Sequence, residues 1–270
     1  EEIIRWGKWV VNELKIDGFR MDAVKHIKDE FIAEFLTQVR ATHGEKFYSV
    51  GEYWRNDLEK LEEYLDNVGY KTDLFDVGLH FNMYDASKKK QDYDLREIFE
   101  HTIVATNPMA AVTFVDNHDS QKGSALESQV ENWFIPHSYA IILLSKDGYP
   151  CLFYGDYYGI GGEKSPHQWI IDKLLEIRRI HAYGEQINHL DDPNVIAIQR
   201  TGRDERTGCV AVLSNSEEEE EIQVEIGKEK AGEVWQEVTG SEYEDVVIDE
   251  DGNANFKVEP EKISVWIRKS

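Results

Sequence analysis

Three carboxylic acids, Asp22, Glu52 and Asp119, stand at the ends of short apolar runs of the sequence. Such runs are typical of strands buried on both faces, so the acids are predicted at the carboxyl ends of strands. The acids are 30 and 67 residues apart, and one strand-helix unit of a (β/α)8 barrel takes about 31 residues. We therefore expect all three side chains on one rim of a sheet. Two carboxylates flanking a glycosidic bond, one ionised and one protonated, are what glycoside hydrolysis requires.

The residues beside two of the acids suggest different roles. Arg20 precedes Asp22 by two positions, so both side chains leave the strand on one face, where a guanidinium favours the ionised carboxylate of a nucleophile. Glu52 is followed by Tyr53 and Trp54, whose apolar bulk favours the protonated carboxyl of a general acid. The pairing of Arg20 with Asp22 is also compatible with a plain surface ion pair of little energetic value.

Asp119 follows His118, a polar pair suited to binding sugar hydroxyls. Each residue also has an ordinary structural explanation, because an Asp at a strand end often caps a helix and a single His or Trp54 is often part of a core. A metal-dependent hydrolase on a similar barrel is disfavoured, since His26, His80 and His118 show no HxH or HExxH spacing. The recurrence of three acids at the spacing of barrel units is what favours a catalytic site over these structural explanations.

The elements that must position these acids alternate along the first two thirds of the chain. Apolar residues recur at helical spacing in six segments, 3–14, 29–41, 58–65, around 94–101, around 130–144 and 167–181. Strands are predicted between them, at 15–24, 47–54, 74–81, 111–119 and 148–156. This alternation predicts an α/β fold with a parallel sheet of five strand-helix units. From about residue 185, short strands separated by turn residues predict an antiparallel β-sandwich.

Composition excludes several classes of partner. The chain has 53 acidic and 30 basic residues and a formal net charge of -23, which disfavours nucleic acid and anionic membrane surfaces but leaves a neutral sugar unaffected. The longest apolar runs are too short to span a bilayer. Cys151 and Cys209 are far apart in sequence, so we expect free thiols rather than a disulfide scaffold.

Three motifs make the chain resemble a known family. GFRMDAVKH at 18–26, GEYW at 51–54 and FVDNHDS at 114–120 resemble three of the four signature regions of the alpha-amylase family, glycoside hydrolase family thirteen, in the same order and spacing. FYGDYYG at 153–159 and the trailing β-domain are similar to that family as well. The resemblance runs along essentially the whole chain and is strongest to bacterial liquefying and cytoplasmic-type alpha-amylases.

The resemblance implies catalytic roles at matching positions. Asp22 corresponds to the nucleophile, Glu52 to the general acid/base and Asp119 to the group that stabilises the transition state. Arg20 is implied to orient Asp22 and keep it ionised. The family is retaining, which implies a separation of about 5–5.5 Å between the carboxyl groups of Asp22 and Glu52.

The resemblance also implies substrate contacts. His118 corresponds to a residue that contacts hydroxyls of the sugar being cleaved, whereas Lys25 and His26 correspond to residues on the leaving-group side of the glucan. Trp54 is implied to stack on a sugar ring there. Calcium is implied for the full-length family, with the backbone carbonyl of His26 as one ligand.

The chain departs from the family in one respect. The first signature, a strand ending in Asp and followed by Asn-His, is missing from the 270 residues, as is the calcium-binding insertion. The resemblance therefore implies the C-terminal five strand-helix units of a (β/α)8 TIM barrel, strands four to eight, at 1–184, and a β-sandwich domain at 185–270. Because one carbonyl does not hold a cation that takes six to eight oxygens, we expect no calcium at the main site of this chain alone.

These expectations define a leading function and its alternatives. The resemblance implies retaining endo-hydrolysis of α-1,4-glucosidic bonds in starch, glycogen and maltooligosaccharides, with the isolated chain inactive. A transglycosylase of the same family and a non-catalytic glucan-binding protein remain alternatives. A half-open barrel exposes strand edges, which favours pairing with a complementary N-terminal chain or self-association. Free thiols and the resemblance favour the cytoplasm over secretion.

Overall fold

Strands and helices alternate in the computed structural model, which describes residues 1–269. The chain divides into two units, and each is described by itself. The first unit comprises Glu1–Leu79 and Glu100–Thr113, and the second comprises 80–99 together with 114–269.

The first unit holds four parallel strands. Its elements are, in chain order, α1 (Glu2–Leu14), β1 (Gly18–Met21), α2 (Asp29–His43), β2 (Tyr48–Gly51), α3 (Leu58–Asn67), β3 (Asp73–Phe75), the first turn of α4 (Val77–Lys89), α5 (Ile103–Thr106) and β4 (Ala111–Phe114). Neighbouring strands pair in chain order, with the registers Gly18↔Tyr48, Val50↔Asp73 and Leu74↔Ala111. Parallel pairing through helical crossovers is what the buried apolar strands predict.

Close packing joins α1 to α2. A Cβ atom at Gly7 would lie 2.6 Å from the ring of Phe35, so only glycine allows this approach. Val11 of α1 and Leu36 of α2 are both buried. α1 ends at Leu14, and the next residue, Lys15, has a left-handed backbone and donates its N–H to the Val11 carbonyl. The predicted helix at 3–14 is therefore confirmed to within one residue.

One predicted strand and one predicted helix are wrong. The run at 74–81 is a strand only as far as Phe75, and α4 begins at Val77. The buried carboxylate of Asp76 accepts the backbone N–H of Leu79 at 3.1 Å and that of Val104 at 2.8 Å, so it caps the helix and ends the strand. Where a helix was expected around 94–101, the chain forms only a 3-10 turn, Leu95–Glu97. A short apolar run does not by itself separate strand from helix.

The helices of the second unit differ in how much of their surface is buried. After the rest of α4 come α6 (Ile135–Leu144), β5 (Tyr149–Cys151), α7 (Tyr154–Tyr158) and α8 (Gln168–Ile180). Nine of the ten residues of α6 are buried, so this helix has no polar face and is covered on all sides. α8 instead buries a single stripe, made of Ile170, Ile171, Leu174 and Ile177.

Antiparallel sheets complete the second unit. Their strands are β6 (Gln186–His189), β7 (Val195–Arg200), β8 (Cys209–Ser214), β9 (Glu220–Glu225), β10 (Val234–Glu237), β11 (Val246–Val247), β12 (Asn253–Val258) and β13 (Ile263–Arg268). Six strands form one sheet in the order β11-β10-β13-β8-β7-β6, and β12 pairs with β9 in a second sheet. Residues of both sheets share one core around the rings of Trp235, Phe256 and Trp266. The predicted α/β fold followed by an antiparallel β-domain is confirmed.

Asn215, just after β8, ties the β-domain to the segment that follows α4. Its buried amide nitrogen donates to the carbonyl oxygens of Lys90 (2.8 Å) and Tyr93 (2.7 Å). The first antiparallel strand begins at Gln186, beside the predicted domain boundary, which itself stays a prediction. Both cysteines are free. Among residues 1–269, none of the helices combines the length and the apolar character that crossing a membrane needs.

Candidate active site

Arg20 brings two of the predicted catalytic acids together. It lies on β1, and its guanidinium forms an ion pair with Asp22 just beyond the strand end. A second nitrogen of the same guanidinium lies 3.2 Å from Oε1 of Glu52, at the end of β2. The i, i+2 contact with Asp22 agrees with the sequence-based expectation, whereas the contact with Glu52 was not predicted.

Backbone hydrogen bonds fix Glu52 against the turn that follows β1. The Glu52 N–H donates to the carbonyl of Met21 (2.9 Å), and its own carbonyl accepts from Val24 (3.0 Å). The N–H of Ala23 donates to Oε2 of the Glu52 side chain at 3.1 Å. Ala23 has a left-handed backbone with φ 47°, a costly conformation for a residue with a Cβ that here accompanies this contact.

The two carboxylates differ strongly in exposure. The side chain of Asp22 is 72% exposed and that of Glu52 only 7%. Oε1 of Glu52 is buried, and although Arg20 is at ion-pair distance, the contact lacks the alignment of a hydrogen bond. The site therefore presents the carboxylate of Asp22 to solvent and keeps that of Glu52 buried, with one oxygen of Glu52 accepting no hydrogen bond.

The predicted leaving-group residues surround the same turn. Lys25 and His26 lie in a 3-10 turn, Val24–His26, and both are exposed. The ammonium group of Lys25 donates to the carbonyl of Trp54 at 3.0 Å. Trp54 itself is only 9% exposed, so sugar stacking on its ring stays a prediction that requires the ring to become more accessible.

His118 and Asp119 lie in the second unit, on the loop after β4. The side-chain oxygen of Asn117 accepts the backbone N–H groups of Asp119 (2.8 Å) and Ser120 (2.9 Å), which closes a tight turn. Nε2 of His118 is 3.2 Å from Oδ2 of Asp119, and both side chains are partly exposed. The structure thus pairs these two predicted residues as the sequence suggested.

A buried acid that the sequence analysis missed supports this turn. Asp116 is 2% exposed, accepts the hydroxyl of Ser120 at 2.7 Å and accepts the N–H of Val130 at 3.2 Å. Burial, followed by the negative charge of Asp156, raises the pKa of Asp116 to about 8. The signal was present in the sequence, because Asp116 directly follows the apolar run of β4.

Asp156 is the second buried acid of this network. The hydroxyl of Tyr139, inside the apolar helix α6, donates to Oδ2 of Asp156 at 2.8 Å and accepts the N–H of Phe153. Burial raises the pKa of Asp156 to about 6, and the hydrogen bond from Tyr139 acts in the opposite direction. The FYGDYYG motif contains Asp156, but nothing in its spacing indicates a partner in α6.

His80 joins the two ends of the loop that carries His118 and Asp119. Its Nδ1 lies 2.6 Å from the carbonyl of Val115, and its Nε2 lies 2.8 Å from the hydroxyl of Ser128. Burial lowers the pKa of His80 to about 4. With both ring nitrogens engaged, His80 is a structural residue rather than a metal ligand.

The described residues show no cluster of acidic side chains for a calcium ion. Across residues 1–269, no three or more His, Cys, Asp or Glu side chains are grouped to hold a metal ion. Calcium takes six to eight oxygen ligands, of which the carbonyl of His26 supplies one. The predicted ligand role of His26 stays a prediction.

Comparisons with known proteins agree on one family. The family described as "Alpha amylase, catalytic domain" matches residues 1–211, and "Alpha-amylase C-terminal" matches residues 210–267. A glucan 1,4-alpha-maltohexaosidase of Bacillus sp. (strain 707) is 44% identical over 271 residues, which cover 99% of this chain and 52% of that protein. The cytoplasmic alpha-amylase of Escherichia coli (strain K12) is 40% identical over 278 residues, covering 99% of this chain and 56% of that protein.

A solved structure gives the same result for the fold. An alpha-amylase from Anoxybacillus superposes with a TM-score of 0.73 at 21% identity, covering 100% of this chain and 63% of the other. The chain spans about half the length of the curated relatives it matches.

Proposed function

The chain belongs to the alpha-amylase family, and from that premise we propose that its protein hydrolyses α-1,4-glucosidic bonds in starch, glycogen and maltooligosaccharides with retention of configuration. The observation that carries the proposal is the contact of one guanidinium, that of Arg20, with both Asp22 and Glu52. A shared cation fixes two carboxylates as a pair, which is the arrangement that glycoside hydrolysis uses.

The exposed and the buried carboxylate suit the two chemical roles. Asp22, open to solvent, attacks the anomeric carbon and forms a covalent glycosyl-enzyme bond as the glycosidic C–O bond breaks. Glu52 gives its proton to the departing oxygen and later takes a proton from the water that hydrolyses the intermediate. Asp22 is thereby regenerated and the sugar keeps its α configuration.

The remaining predicted residues complete the proposal. Asp119 stabilises the positive charge that develops on the sugar, and His118 contacts its hydroxyls. Lys25 and His26, both exposed beside the catalytic turn, bind the leaving-group side of the glucan, with Trp54 as the stacking surface. Because the relatives are about twice as long, we expect the chain alone to be inactive and to need the remaining part of the barrel.

The test restores that part from a relative. Residues 1–270 are joined to the amino-terminal half of the maltohexaosidase from Bacillus sp. (strain 707), and reducing-sugar release from soluble starch is measured. We expect the hybrid to be active, and we expect Glu52→Gln and Asp22→Asn to lower its rate by at least about 10³-fold. Glu34→Gln, an exposed position on α2, is the matched control and should leave the rate unchanged.

The outcomes separate the alternatives. Full starch cleavage by the Asp22→Asn hybrid refutes the proposal. When a maltooligosaccharide is the substrate, products longer than that substrate indicate a transglycosylase. Starch binding without cleavage indicates a glucan-binding protein. The initial anomer, observed by proton NMR, is expected to be α.

A further inference from the structure

An open cavity of about 750 Å³ lies in the second unit, beside the carboxyl end of α6. Its charged lining is dominated by basic side chains, four of them against two acids, namely Lys146, Arg178, Arg179 and Arg200 against Asp172 and Glu176. This composition is unusual in a chain with a formal net charge of -23. None of the residues proposed for catalysis is among those that line the cavity.

Two of the guanidinium groups have no carboxylate partner. Arg200, at the end of β7, is 6% exposed and donates to the backbone carbonyls of Leu144 (3.1 Å) and Gly184 (3.0 Å). Its Nε is buried without a hydrogen-bond partner. Arg178, which is half-buried, donates to the carbonyls of Leu143 and Ser145. Within residues 1–269, neither guanidinium forms an ion pair.

The acids near the cavity are already engaged elsewhere. Glu176 pairs with Lys173 at 2.7 Å, and Glu185 pairs with Lys146 at 2.6 Å. Asp172 accepts the hydroxyl of Tyr157. Two of the nearby carboxylates are therefore balanced by lysines. Among the residues that line the cavity, the three arginines then exceed the remaining carboxylate, that of Asp172, by two positive charges.

Capping of α6 accounts for only part of this positive charge. Arg178 and Arg200 donate to the last carbonyls of the helix, and a helix end carries about half of a negative elementary charge. Burial lowers the pKa of both guanidinium groups, which reflects the cost of placing unpaired cations out of water. A net positive charge therefore remains beside an open cavity.

We propose that this cavity binds a phosphate-type oxyanion, held by the guanidinium groups of Arg178, Arg179 and Arg200. Guanidinium forks match the oxygens of such an anion in pairs, and a dianion balances the excess charge. The hydroxyl of Ser145, buried without a partner in the cavity wall, is a further donor. Free phosphate and the phosphate group of a sugar phosphate present the same chemistry.

The test is isothermal titration of the whole chain with inorganic phosphate at constant ionic strength set by chloride. We expect saturable binding that Arg179→Gln weakens by roughly tenfold, the usual consequence of losing one charged donor. Arg179 is exposed and its guanidinium makes no ion pair among the described residues, so this variant is expected to fold. Arg5→Gln, which removes an exposed charge from α1, is the matched control.

Each outcome decides the proposal. Absence of phosphate binding, equal affinity in Arg179→Gln and the parent, or equal weakening by Arg5→Gln overturns it. Glucose 6-phosphate binding more tightly than phosphate identifies a sugar phosphate as the ligand, and weaker binding identifies the free anion. Arg200→Gln is expected to abolish binding. If that variant does not fold, Arg178→Lys, which keeps the charge but loses the fork, must weaken binding for the proposal to stand.

Discussion

The two units each hold a pair of carboxylic acids, in opposite surroundings. In the first, Arg20 contacts both Asp22 and Glu52, and Asp22 is open to solvent. In the second, Asp116 and Asp156 are both buried, and their side-chain contacts are the hydroxyls of Ser120 and Tyr139 and a backbone N–H, with no cation among residues 1–269.

The difference shows how one functional group serves two purposes. A guanidinium that contacts two carboxylates offsets their mutual repulsion and positions them for chemistry, as the first pair requires. In the second pair, burial without a cation raises the pKa values of Asp116 and Asp156 to about 8 and about 6. The second pair therefore retains a proton at neutral pH and acts as a hydrogen-bonded support for the turn before Asp119.

Removing the cation from the first pair is expected to have the largest effect. Arg20→Met leaves Asp22 and Glu52 without the guanidinium, so the rate of starch hydrolysis by the hybrid protein should fall by about 10²–10³-fold. Arg20→Lys, which keeps the charge but not the fork, should lose less. The measurement is initial-rate kinetics, and Arg5→Met serves as the control. An unchanged rate in Arg20→Met contradicts the role of the shared cation.

Removing an acid from the second pair is expected to change how stability depends on pH. The pKa of Asp116 is raised from 3.8 to about 8, so the folded chain keeps a proton that the unfolded chain has released. The unfolding free energy must then fall as pH rises from the unfolded pKa through the folded pKa, by about 1 kcal/mol between pH 7 and pH 8. Asp116→Asn should remove this slope.

Urea unfolding followed by circular dichroism at pH 7, 7.5 and 8 measures the slope. Asp147→Asn, an exposed position in the same unit, should keep the dependence of the parent chain. A flat profile in the parent shows that Asp116 is ionised at neutral pH and removes the contrast between the two pairs.

The hydroxyl that contacts Asp156 is expected to have a smaller effect. Tyr139→Phe removes the donor to Oδ2, which should lower the unfolding free energy by about 1 kcal/mol and raise the pKa of Asp156 further, because that hydrogen bond favours the ionised form. Carbon-13 NMR of the carboxyl group follows the titration. The hydroxyl of Tyr183 donates to a carbonyl of α8, so Tyr183→Phe is a suitable control. A fall in the pKa of Asp156 in Tyr139→Phe contradicts the assigned hydrogen bond.

The smallest expected effect concerns the repulsion between the two buried acids. Asp156→Asn removes one negative charge near Asp116, so the pKa of Asp116 should fall from about 8 while staying above its ordinary value, since burial is the larger cause. The pH dependence of unfolding should shift toward lower pH by less than it changes in Asp116→Asn. An unshifted profile shows that the acids do not interact.

Local patterns predicted local features well. Helical spacing located α1, α2, α3 and α8 to within a few residues, because an amphipathic face depends on neighbouring positions only. The contact of Arg20 with Asp22 followed from strand alternation. What the sequence did not predict was tertiary, namely the contact of Arg20 with Glu52 and the helix cap at Asp76, which needs the N–H of Val104 to satisfy its carboxylate.

The burial of α6 on every side has a consequence for synthesis of the chain. Part of its cover comes from the β-domain, where Nε2 of His137 lies 2.9 Å from the carbonyl of Ser214, and β13 ends about 120 residues after α6 does. At 5–20 residues per second, translation takes on the order of ten seconds to deliver those strands. During that interval the nascent chain exposes an apolar helix, so we expect chaperones to engage it at this stage of elongation.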